Sequence, residues 1–216
     1  MSTQNLIRWS GLALVVGGVG IALFLITLYP LGNFLAPEVL TTSQSVLAHT
    51  FHWIGATFAL LGLVGWHVKQ KAQAGMTGLI GFILAFIGTT LTLVGGVSAG
   101  YIFPVLAHEA PQAFDPQGPL FASSNAIPFF IGFATFMLGY VLLGIATIRA
   151  KILPRWGAVL VMLGAILFNL PPQPIGPFPT FVILIGAVLW GAGAVWIGLA
   201  LWSEKGEMAI PPKTPM

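Results

Sequence analysis

Long unbroken apolar runs, rather than any alternation of apolar and polar positions, organise this chain. Six stretches, 11–29, 46–66, 78–102, 126–148, 152–170 and 180–202, are apolar almost throughout. Each approaches or exceeds the roughly 20 helical residues that cross a hydrocarbon core of about 30 Å. Helix is the form they must take, because backbone groups in lipid have to pair within their own segment, and no stretch has the period of two of a barrel strand. The pattern predicts an all-α integral membrane protein, with six transmembrane helices in one bundle over residues 1–203 and a short tail at 204–216. The first run exceeds the apolar core of a signal peptide, about 7 to 15 residues, and no small-residue cleavage site follows it, so it reads as a span.

Local signals agree with these boundaries. Thr41 and Gln44 have capping-box spacing ahead of the second span. Pro128 and Pro154 suit the first turns of the fourth and fifth spans, where a missing N–H costs nothing. The stretch PPQPIGPFP at 171–179 is too rich in proline for helix and reads as a stiff external connector. A weak repeat is visible: IGATFALLGLVG at 54, IGFATFMLGYVLLG at 131 and, more loosely, IGAVLWGAGAV at 185. The odd-numbered spans each carry two glycines seven apart, Gly11 and Gly18, Gly81 and Gly88, Gly157 and Gly164. Three helical hairpins are one organisation that fits, and the small residues allow close helix approach whether or not the repeat is real.

Composition removes the soluble alternatives. Of 216 residues, 57% are hydrophobic and 6% charged, against roughly a quarter charged in soluble domains. Cysteine is absent, which excludes disulfides, thiolate metal sites and cysteine nucleophiles and leaves His and carboxylate as metal ligands. The net charge of +3 reflects orientation and not a nucleic-acid surface. Arg8, Lys69, Lys71, Arg149, Lys151, Arg155, Lys205 and Lys213 all fall in connections on one side, and none lies at 30–45, 103–125 or 171–179. Cytoplasmic connections retain Lys and Arg, so both termini are expected in the cytoplasm, with Trp9, Trp66, Trp156 and Trp202 at the inner boundary. The general pattern is similar to that of small bacterial membrane proteins, and the expected place is a cell (plasma) membrane crossed several times.

The titratable residues gather at the opposite end. His49 and His52 lie one turn apart where the second span enters from outside, on one helix face. His108 and Glu109 lie in the external connection 103–125, which is long, holds four prolines, and is apolar enough (Phe103, Val105, Leu106, Phe114, Leu120, Phe121) to fold over the helix ends. His49, His52, His108 and Glu109 are therefore the candidate residues, as ligands of a divalent metal with an open position or as an acid/base pair acting on a lipophilic substrate. The spacing is not specific: Thr50 stands where an HExxH zinc hydrolase has Glu. His67, beside Lys69, reads as an interfacial anchor; Asp115 in FDPQG as a turn former; Glu38 in APEVL as the start of a short surface helix.

Four functions fit this reading. The first is an outward-facing His/Glu site binding a lipophilic small molecule or a metal, with or without catalysis, since ionisable groups near lipid are functional candidates. The second is electron transfer by a single b-type haem, held by His52 or His49 with His108. The third is a small transporter, for which the only hints are the Pro and Asn that end the first and fifth spans at 29–33 and 169–172. The fourth is a structural or assembly subunit of a membrane complex, or a homo-oligomer, with no chemistry of its own.

Overall fold

The structure, a computed structural model, describes residues 2–34, 36–115, 118–120, 124–170 and 178–203. Among these the chain is all-helical. The helices are α1 (Thr3–Leu28), α2 (Pro37–Leu40), α3 (Ser43–Val97), α4 (Phe103–Glu109), α5 (Ile127–Ala150), α6 (Arg155–Phe168) and α7 (Thr180–Trp202). Four helical stretches, Thr3–Leu31, Ser43–Glu109, Ile127–Ala150 and Thr180–Trp202, are long and apolar enough to cross a membrane, and α6 is a shorter apolar helix.

The second stretch is folded in two. At Gly75 the backbone takes φ 57°, ψ −157°, a conformation open to glycine and strained for any residue with a Cβ. The chain reverses there, leaving two antiparallel arms, 43–74 and 76–97. Their register is shown by side chains that meet across the hairpin: His67 stacks on Phe82 with ring centroids 4.5 Å apart, and Thr50 Oγ1 shares a 2.8 Å hydrogen bond with Tyr101 OH. The segment 67–77, read from its polarity as a connection, is thus helix up to residue 74. The first arm is about 48 Å long at 1.5 Å per residue, longer than a hydrocarbon core of about 30 Å.

Small residues set the packing. Gly17 and Gly62 bring α1 against the first arm, Gly81 and Gly88 bring the second arm against α5, and Gly11 and Gly18 lie against carbonyls of Gly198 and Gly191 in α7. Gly157 and Gly164 join α6 to α7, and α5 packs on α6, so the ring of helices closes. The glycine pairs spaced by seven are therefore contact seams, as their composition implied. Inside the ring Leu14, Leu63, Trp66, Tyr140, Leu143, Trp190 and Ile197 are almost wholly buried. Trp66 faces this interior, its indole N–H donating to Thr147 Oγ1 at 2.9 Å. Trp9 and Trp156 are exposed, at 58% and 57%.

Two start signals shift by a residue. The N-cap of α3 is Thr42, whose hydroxyl accepts from Ser45 N at 3.1 Å, while Gln44 reaches across to donate to the Thr27 carbonyl of α1 at 2.8 Å. Pro154 is itself the N-cap of α6. Pro128 lies in the first turn of α5 and Glu38 in that of α2, as their sequence contexts imply. The connector at 171–179, apart from its last two residues, and the tail at 204–216 lie outside the described residues.

Candidate functional site

The described part of the 103–125 connection is packed down. After residue 97 the second arm passes through a π-helical turn, Ser98–Ile102, into α4. Phe103, Leu106 and Ala107, spaced i, i+3, i+4, make one apolar face of α4. That face packs with Leu40 of α2, Ala113, Phe114 and Leu120 into a second small core, with Phe103 edge-on to Phe114 at 5.5 Å. The opposite face carries His108 and Glu109. Their side chains are 81% and 73% exposed, and His108 Nδ1 pairs with Glu109 Oε1 at 3.0 Å. Exposed pairs of this kind contribute little to stability because water screens them.

His49 and His52 lie in a different environment. They occupy the face of the first arm turned toward α1 and the returning arm. His49 is 5% exposed, and its Nδ1 donates to the Ser45 carbonyl at 2.8 Å, which assigns the hydrogen to Nδ1 and leaves Nε2 as the acceptor. Its Cβ would lie 3.0 Å from a Cβ placed on Gly100. His52 is 9% exposed and stacks on Phe24 of α1, ring centroids 4.3 Å apart and planes 14° apart. On the returning arm, a Cβ at position 96 would come within 2.9 Å of His52 Nδ1, so only glycine leaves the ring its place. Among the described residues, neither ring nitrogen of His52 has a hydrogen-bond partner. Phe24 also touches His49, at 5.3 Å, so one phenylalanine holds both imidazoles.

These positions correct the expectation of one shared site. Among the described residues, no three of His, Asp and Glu come together to hold a metal ion. His49, His52, His108 and Glu109 therefore do not form the expected chelate: the first two are enclosed between helices, the last two face outward and satisfy each other. The apolar side of α4 is buried, and the side bearing the chemistry is turned away. An axial haem pair of His52 and His108 would require His108 to leave its exposed position and His52 its stack on Phe24.

Polar groups inside the bundle were missed in the sequence. Thr89 Oγ1 lies 3.1 Å from Tyr140 OH, and Gln70 is fully buried with both amide atoms unpartnered. Gln70 escaped notice because it was assigned to a polar connection between Lys69 and Lys71; its spacing of four from Trp66 was the available signal that it shares Trp66's inward face.

Comparison with family models, with characterised proteins and with solved structures gives no match to this chain. Function is argued from the geometry alone.

Proposed function

We propose that this chain is a multi-pass protein of a cell membrane, with a binding site for a lipophilic small molecule around His49 and His52 at its outer end. In this reading each arm of α3 crosses once, α6 supplies a short crossing, and the bundle has six crossings with both ends in the cytoplasm. The orientation draws support from the contacts that gather basic residues at one end. Arg8 lies over Trp202 at the close of α7, Gly78 lies beside both Ala74 and Ala146, and Arg149, Lys151 and Arg155 follow directly on from Ala146.

The observation that carries the functional reading is the His52 imidazole: buried, stacked, and without a hydrogen-bond partner on either nitrogen. A buried polar group left unpaired costs about 1 to 3 kcal/mol, and such exceptions in a folded protein call for a reason. A neutral imidazole offers one donor and one acceptor. Its complement is a hydroxyl or carbonyl at the polar end of an otherwise apolar molecule, arriving from the bilayer. His49, with Nε2 left as acceptor, adds a second point of attachment one turn away. A metal held by all four candidate residues is the reading the geometry favours least.

The test is chemical. Organic extracts of purified wild-type protein and of His52→Phe are compared by mass spectrometry, with absorption spectra taken beforehand. A lipophilic compound present with the wild type and absent from the variant supports the proposal. Identical extracts remove it, and a Soret band lost with His52 would replace it by the haem reading.

A further inference from the structure

On the flank of the bundle, between α1 and the first arm of α3, runs an apolar groove of about 420 Å³, with Leu6 and Trp9 at one end and Val16 and Phe58 at the other. Its volume is in the range of small-molecule sites, about 300 to 1,000 Å³. It faces outward, since Trp9, Leu12, Val16, Phe58 and Leu61 are among the exposed apolar side chains. Along α1 the lining runs from residue 6 to residue 16, about 15 Å at 1.5 Å per residue, or half of a hydrocarbon core of about 30 Å. The groove is therefore as deep as one leaflet.

A cation stands beside its shallow end, one residue before Trp9 and outside the lining itself. Arg8 lies with its guanidinium carbon 4.9 Å from the Trp202 ring centroid, and Trp9 meets the same ring edge-on at 5.6 Å. Trp9 thus lines the groove on one side and joins, through Trp202, the place where Arg8 is held. The Arg8 Nε is buried and has no hydrogen-bond partner. Guanidinium N–H groups match phosphate oxygens, and indole rings favour the headgroup level.

We infer that this groove binds one anionic phospholipid from the leaflet in which α1 begins, its phosphate on Arg8, its glycerol level at Trp9 and one acyl chain between α1 and the first arm of α3. The charge selects an anionic over a zwitterionic headgroup, and the one-leaflet depth selects a lipid over a longer partner helix. This inference is independent of the His49 and His52 reading.

The experiment reconstitutes the full chain in vesicles of phosphatidylcholine with a minor fraction of phosphatidylglycerol, extracts it into detergent, and counts retained lipid by native mass spectrometry. The wild type is expected to keep phosphatidylglycerol in preference to phosphatidylcholine. Arg8→Gln should lower that preference about fivefold, the effect of about 1 kcal/mol for one basic residue at a membrane surface. Leu61→Trp, at the groove rim, should lower retention of both lipids. Arg155→Gln, a cation on the same side that stacks on its own neighbour Trp156 at 5.4 Å, should change nothing. Equal loss in Arg155→Gln would show general attraction to charge and overturn the site. Retention unchanged in Arg8→Gln or in Leu61→Trp, or a dimer that keeps no lipid, would overturn it as well.

Discussion

The first arm of α3 carries two histidines stacked on phenylalanines, alike in the ring contact and different in how completely each ring is enclosed. His52 lies on Phe24 at 4.3 Å and 14°; His67 lies on Phe82 at 4.5 Å and 20°. Phe82 belongs to the returning arm, so the His67 pair lies within one hairpin, partly buried near its turn and beside Lys71. Phe24 comes from α1, and the His52 pair is closed in further by Gly96 behind the ring. The stack itself is therefore a packing device, available at either end of the arm. His67 Nδ1 is likewise buried without a partner among the described residues; His52 differs in that its whole ring is buried and both of its nitrogens are unpartnered.

Breaking the pairs should separate them. The largest effect is expected from Phe24→Ala, which removes the ring that holds both His49 and His52. In lipid the transfer contribution is small, so the cost is the cavity and lost contacts, about 3 kcal/mol at the low end for such truncations. Phe82→Ala, at a half-buried ring, should cost less than half as much; chemical denaturation of both variants in detergent measures the ratio. Gly96→Leu comes next. The added side chain must displace the His52 ring, and overpacking of this kind costs about 1 to 3 kcal/mol. The same variant should lose whatever compound copurifies with the wild type, read by mass spectrometry. The smallest effect belongs to His67→Phe, where a partly buried ring loses one buried unpaired nitrogen instead of two; a gain of about 1 kcal/mol or less is expected, with the copurifying compound retained.

How much of this was legible beforehand follows from which forces act locally. The helices and the glycine seams could be read, because lipid forces backbone pairing within each segment and close approach requires small residues. The reversal at Gly75 was obscured, since KQKAQAGMTG has the polarity of a connection while its residues up to 74 remain helical. His49 and His52 were found because they share a face, but their partners could not be. Phe24 is 28 residues before His52 and Gly96 is 44 after it, and nothing local brings them together. The separation of His108 and Glu109 from His49 and His52 was legible. The i, i+3, i+4 spacing of Phe103, Leu106 and Ala107 already assigns the buried face of α4, and it is not the face that bears the imidazole.

The central claim is that the His52 imidazole is kept at a cost to the fold because a ligand uses it. Thermal unfolding of purified wild type and His52→Phe, both stripped of bound compounds, tests this most directly. Phenylalanine keeps the stack on Phe24 and removes two unpaired polar atoms, so the variant should be more stable by about 1 to 3 kcal/mol, a rise in Tm of about 2 to 4 °C for each kcal/mol. A variant that melts below the wild type would contradict the account and make His52 a structural residue.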